Sequence, residues 1–230
     1  MGSIDAKAGI RLISVSPDRQ KSLLRTNIVL LIALLLMIFF LPVIPLREHY
    51  LTRAVLSLVV VTGLFAAEFS RSMFRILFSL ASVVIAITVL SLFQSESDVL
   101  TYVAFLLNTA FFILITIALI THVAGAKNVN SSILLCAVNS YLLIGLSLSM
   151  LFMILDMLAP SSFGQINAEG DRTSTFIYYG FVTLTTLGYG DISPATPLAR
   201  SLATFTALFG QLYLVIIMAF LIGKYTSAKK

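Results

Sequence analysis

The sequence predicts an all-α protein embedded in a lipid bilayer and crossing it six times. Three observations carry this. Of its 230 residues, 59% are hydrophobic and only 11% charged, where an ordinary soluble domain is about 45–50% apolar and about 25% charged. The mean hydropathy of +1.02 points the same way. Six charge-poor stretches are each long enough to cross a hydrocarbon core of about 30 Å, which takes about 20 helical residues.

In order, these stretches are Asn27–Leu46, Leu51–Ala67, Met73–Phe93, Val99–Thr121, Ser132–Leu158 and Leu198–Gly223. Their continuous apolar character favours helices, which satisfy their own backbone groups in lipid. The first follows Lys21 and Arg25 and could be taken for a signal peptide, but its apolar run is too long and no small-residue cleavage site follows. Pro42 and Pro45 are expected to end or kink it. The basic residues set the direction. Lys7, Arg11, Arg19, Lys21 and Arg25 precede the first crossing, Arg71, Arg75 and Lys127 lie in even-numbered loops, and Lys224, Lys229 and Lys230 follow the last. Placing this majority in the cytoplasm puts both termini inside and leaves Arg47, Arg53, Arg172 and Arg200 outside with most of the acidic residues. The expected location is therefore a plasma (inner) membrane, crossed several times. The sequon Asn130-Ser131-Ser132 then faces the cytoplasm, where it is not glycosylated.

Little chain lies outside these stretches, so there is no room for a soluble catalytic or nucleotide-binding domain. The net charge of +5 sits at helix ends, as membrane topology demands, so no nucleic-acid partner is expected. Cys136 is the single cysteine, which excludes an intrachain disulfide and a cysteine metal site. Neither His49 nor His122 has acidic or cysteine neighbours at ligand spacing. No enzyme and no cofactor are predicted.

The chain divides into a tail, 1–25, a four-helix part, 26–124, and a two-helix part, 128–226. The last contains the polar segment Ala159–Pro197, where the chemistry lies. Residues 174–185 read as a short helix that rises about 1.5 Å per residue and so reaches only partway across the bilayer. It runs into Thr186-Leu187-Gly188-Tyr189-Gly190-Asp191. Non-helical backbone at membrane depth is tolerated only where protein buries it or water lines it, so the segment reads as a re-entrant pore loop. A dehydrated cation needs rings of oxygens with consecutive carbonyls pointing inward, and Gly188 and Gly190 can take the positive φ that reverses their alternation.

This run between two crossings resembles the selectivity filter of the potassium channel family. The resemblance spans roughly Ser132–Tyr225, and the four preceding helices match the six-helix plan of that family in number though not in motif. Leu187 stands where Val is usual, a mild departure. The resemblance implies K⁺ coordination by Thr186, Leu187, Gly188, Tyr189 and Gly190, with K⁺ as permeant ion. It implies filter support from Asp191, Tyr178, Tyr179, Val182 and Thr185, the Tyr189 ring bracing the filter against Tyr178 and Tyr179. Asp191 is placed to brace the outer mouth through Tyr178 or Tyr179. Val182 occupies a position where some relatives carry a carboxylate that bonds behind the filter, a bond its side chain cannot make. Gly210 is the inner-helix hinge candidate, with close helix packing as the other reading. Gln211 faces the cavity or bonds another helix.

Voltage-gated relatives carry arginines at every third position of the fourth helix, whereas Val99–Thr121 has no Arg, Lys, Asp or Glu. Moving one charge across 100 mV is worth about 2.3 kcal/mol, so strong voltage gating is not expected; Arg71 and Arg75 are explained by topology. The sequence therefore predicts an all-α membrane protein with six transmembrane helices, a re-entrant pore helix and a selectivity-filter loop, forming a homotetrameric pore with membrane lipids around it. Passive K⁺ conduction is the function implied. The alternatives are a weakly selective cation channel and a non-conducting scaffold with a vestigial pore loop. The gating stimulus and any lipid or regulatory ligand are not legible.

Overall fold

The computed structural model describes residues 17–40, 49–67, 69–93, 98–126, 129–164 and 172–227. Seven α-helices fill them: α1 Pro17–Leu35, α2 His49–Leu64, α3 Arg71–Phe93, α4 Asp98–Gly125, α5 Ser131–Leu158, α6 Arg172–Leu184 and α7 Pro197–Ser227. A π-helical turn, Leu36–Phe40, extends α1. The tail 1–16, the Pro42 and Pro45 positions and Glu68 lie outside the described residues.

The helices start and stop where polar chemistry allows, beyond the apolar runs that mark them. α1 begins at Pro17 rather than Asn27. Proline suits a first helical position because that N–H has no intrahelical partner, and Lys21 and Arg25 ride on the turns before the apolar face starts. α4 and α7 likewise outrun their expected bounds. α2 differs in the other direction. Its 16 residues span about 24 Å, and the chain turns after Leu64 through Phe65 N–H to Thr62 O (3.1 Å) and Ala66 N–H to Gly63 O (3.2 Å). Among the described residues five helices are long and apolar enough to cross a membrane, and α2 contributes the shorter apolar stretch Ala54–Leu64. The protein is a multi-pass membrane protein.

α5 is the hub, packing against α4, α6, α1 and α7. Small residues let it come close to α6. A Cβ on Gly145 would overlap the Phe181 ring, and one on Gly180 would overlap Ser149. In lipid, where tails are as apolar as leucine, such close van der Waals approach is a main source of helix association. Asn130 caps α5, its side chain accepting from Ile133 N–H at 2.9 Å. Thr196 caps α7 through Ala199 N–H (3.3 Å) and Pro197 takes the first helical position.

A buried polar seam joins α1 to α5. Asn27 Nδ2 donates to Leu23 O (2.9 Å) and Ala66 O (2.6 Å). Asn139 Nδ2 donates to Asn27 O (3.0 Å) and Asn27 Oδ1 (3.1 Å), and the Cys136 thiol donates to Asn27 Oδ1 (3.3 Å). Asn27, Cys136 and Asn139 are fully buried. α1 is thus hydrogen-bonded to α5 rather than merely packed against it. At the other surface contact, Lys224 Nζ near the end of α7 donates to Ala124 O (3.3 Å) and to Ala126 O, and lies 4.2 Å from the Phe220 ring centroid.

The entrance of α6 is held by charge. Arg172 Nη2 meets Asp156 Oδ2 at 2.6 Å, the carboxylate side chain only 5% exposed and the guanidinium 55%. Removing the arginine strands a buried charge, whereas removing the carboxylate returns an exposed one to water. Arg172→Gln is therefore expected to cost about 1–3 kcal/mol and Asp156→Asn distinctly less. Thermal unfolding of the detergent-solubilised protein checks this; equal losses would mean the pair is not asymmetric in burial.

Candidate functional site

The site is the segment between α6 and α7, anchored at both ends. Its inner end grows out of a helix cap. Leu187 N–H donates to Val182 O (3.0 Å) and Thr186 N–H to Thr183 O (3.0 Å), the paired bonds of a Schellman motif with Thr186 in its left-handed position. Gly188 N–H shares Val182 O at 3.2 Å. Val182 therefore holds the segment through its main chain, although its side chain lacks the carboxylate. Thr185 turns its hydroxyl back to Phe181 O (2.7 Å), into its own helix.

Beyond the cap, positive φ recurs at every second residue: Thr186 at 60°, Gly188 at 56° and Gly190 at 80°. Such alternation in a chain of L-residues turns successive peptide planes the same way, so carbonyls that would alternate can face one side. The glycines adopt it without a Cβ conflict. Thr186 is β-branched and bears strain of about 1–2 kcal/mol there. Two contacts hold it: its hydroxyl donates to Thr185 O (2.7 Å) and accepts from Gln211 Nε2 (3.3 Å).

That second bond comes from α7, and the residue beside it explains how α7 gets near. Gly210 is buried, and a Cβ there would overlap Leu184 O and crowd Leu184 Cδ1 at 2.8 Å. The last turn of α6 rests on the bare backbone of Gly210. α7 runs unbroken through this point, so the hinge candidate is occupied in packing here. Tyr213, one turn on, donates its hydroxyl to Ala137 O (2.7 Å) and stacks with Tyr141 at 5.7 Å, fixing α7 on α5.

The outer end is clamped to the exit of α5. Phe163 and Pro194 form an antiparallel bridge, flanked by Gly164 N–H to Ser193 O (3.0 Å) and Ala195 N–H to Ser162 O (2.8 Å). Asp191 Oδ2 accepts from the Tyr178 hydroxyl at 2.7 Å.

Of Tyr178 and Tyr179, it is Tyr178 that reaches Asp191. Residues one apart on a helix point about 100° apart, so Tyr179 faces the other way. It is buried edge-on against Phe152 (4.8 Å) and Phe163 (5.2 Å). The Tyr189 ring, 67% exposed, makes no ring contact with Tyr178 or Tyr179 within the chain. Gln211 and the cap carbonyls of Val182 and Thr183 complete the site.

Within one chain the segment is an exposed single strand: every residue from Thr185 to Asp191 is solvent-accessible in isolation. α7 is similarly uncovered, far less buried along its length than α5. An unpaired backbone at membrane depth needs further protein or a water-filled lumen around it.

A family model described as an ion channel matches residues 137–227, the span that holds most of α5, all of α6, the clamped segment and α7. The match supports reading this chain as an ion channel. No curated protein matches the chain.

Proposed function

We propose that the chain is one subunit of a potassium-selective channel that conducts K⁺ passively down its electrochemical gradient. The observation that carries this is the alternation of positive φ at Thr186, Gly188 and Gly190 in a backbone clamped at both ends. It provides a ladder of carbonyls from Thr186 to Gly190 able to replace a cation's hydration shell. The C-terminal end of α6 adds its partial negative charge below that ladder. A single strand surrounds nothing. Four copies about an axis would close the ring, cover the exposed strand and give the apolar flanks of α7 their partners. The reading keeps six crossings, α2 being one of them, and both termini in the cytoplasm of a plasma membrane. No catalytic chemistry is called for.

The direct test is flux from liposomes containing the purified full chain, with K⁺ or Na⁺ as the only cation. K⁺ flux well above Na⁺ flux is expected. Because neither Arg nor Lys occurs in α4, conductance should change little with voltage. Equal fluxes would leave a nonselective cation pore, absent flux a scaffold, and a conductance rising steeply with voltage would overturn the assignment of the four-helix part.

The Tyr178–Asp191 bond should stabilise the conducting filter. Tyr178→Phe and Asp191→Asn are each expected to shorten open times, and the double variant to be no worse than the more affected single one, because both remove the same bond. Single-channel recording reads the dwell times; additive losses would place the two residues in separate roles.

A further inference from the structure

Away from the filter, the start of α1, the turn after α2 and the first turns of α3 enclose a pocket of about 870 Å³. The start of α1, the end of α2 and the start of α3 come together at one end of the helix bundle. Its lining has two characters. Arg71, Arg75 and Ser22 supply guanidinium and hydroxyl donors, while Leu64, Phe65 and Phe74 supply an apolar wall. Arg71 and Arg75 are exposed and one helical turn apart on α3, so they share a face. Arg75 Nε donates to Arg71 O at 3.3 Å, and neither guanidinium forms an ion pair with a described acidic residue. The apolar wall continues out of the pocket toward the bilayer interior: Phe74 meets Phe65 at 6.3 Å and stacks on Phe78 at 6.0 Å, and Phe65 and Phe78 are each 53% exposed.

We propose that this pocket binds the headgroup of an anionic glycerophospholipid. Its phosphate sits between Arg71 and Arg75, and an acyl chain lies along Phe74 and Phe78. Topology alone accounts for basic residues at this surface, but it does not require them to face a pocket or an aromatic track to lead from it. A guanidinium matches phosphate oxygens with paired donors, and a basic residue at the bilayer surface favours anionic lipid over zwitterionic lipid. The amphiphilic lining is what selects a lipid over a free phosphate ion. This site does not depend on the filter or on K⁺ selectivity.

The test titrates the detergent-solubilised full chain with dioctanoyl phosphatidylglycerol, dioctanoyl phosphatidylcholine or inorganic phosphate, and follows thermal unfolding. Phosphatidylglycerol should raise the transition, while phosphatidylcholine and inorganic phosphate at equal concentration should not. In R71Q/R75Q the apparent affinity for phosphatidylglycerol should fall about thirtyfold, and in R75Q alone about fivefold. R200Q, at the other surface, should keep it. Should the double variant fail to fold, R75Q carries the test. Wild-type affinity in R75Q and R71Q/R75Q, an equal loss in R200Q, or a full shift with inorganic phosphate alone would each overturn the proposal.

Discussion

Gly188→Ala and Gly190→Ala are expected to abolish the preference for K⁺ over Na⁺ while leaving the protein folded. Both residues have positive φ, 56° and 80°, and nothing lies within 4 Å of a Cβ built on either. The methyl group therefore acts within the chain through the backbone alone. An L-residue in that region costs about 1–2 kcal/mol, or about 4–8 kcal/mol over the four strands of the proposed ring. Rotating the peptide plane relieves that strain and carries the carbonyl away from its neighbours, so the oxygen ladder loses a rung. Liposome flux should show either no conduction or equal K⁺ and Na⁺ permeation, with helicity and melting temperature near those of the parent. Unchanged K⁺ preference in Gly190→Ala would contradict the filter assignment.

Gly210→Ala tests a different claim. If the glycine serves as a hinge, the substitution should change opening and spare stability. The overlap with Leu184 O predicts the reverse order of effects. Overpacking of this kind costs about 1–3 kcal/mol, so the variant should melt earlier and assemble poorly before any question of gating arises. Because the obstructing atom belongs to the main chain, Leu184→Ala should not restore the loss. A Gly210→Ala protein with parental stability and altered open probability would return the residue to the hinge reading.

The glycines differ in how far the sequence discloses them. Gly188 and Gly190 announce themselves through neighbours in the chain, because conformational demands are local and a short run can state them. Gly145, Gly180 and Gly210 matter through Phe181, Ser149 and Leu184, contacts that exist only once helices are packed. The choice between Tyr178 and Tyr179 was equally closed: both lie on one short helix, and only its rotation says which meets Asp191. The left-handed cap conformation of Thr186 escaped because sequence cues for a helix cap favour glycine at that position, and here a threonine takes it. Asn27 was hidden by a boundary. Read as the first residue of a crossing it needs no partner, but with α1 starting at Pro17 it lies inside the helix. A polar side chain within a span is itself the signal that would have exposed it.

The seam between Asn27 and Asn139 also has a consequence for biogenesis. The two residues are 112 positions apart, so when α1 leaves the ribosome its partner on α5 has not yet been made. Asn27 is not left bare in lipid during that interval, because Leu23 O is in its own helix and Ala66 O follows soon after. Those bonds use only the amide nitrogen. The amide oxygen is kept for the late arrivals, Cys136 and Asn139. The early half of the chain therefore engages the amide nitrogen of Asn27 and α5 engages the oxygens of Asn27, so the two halves of the seam use different atoms of one residue.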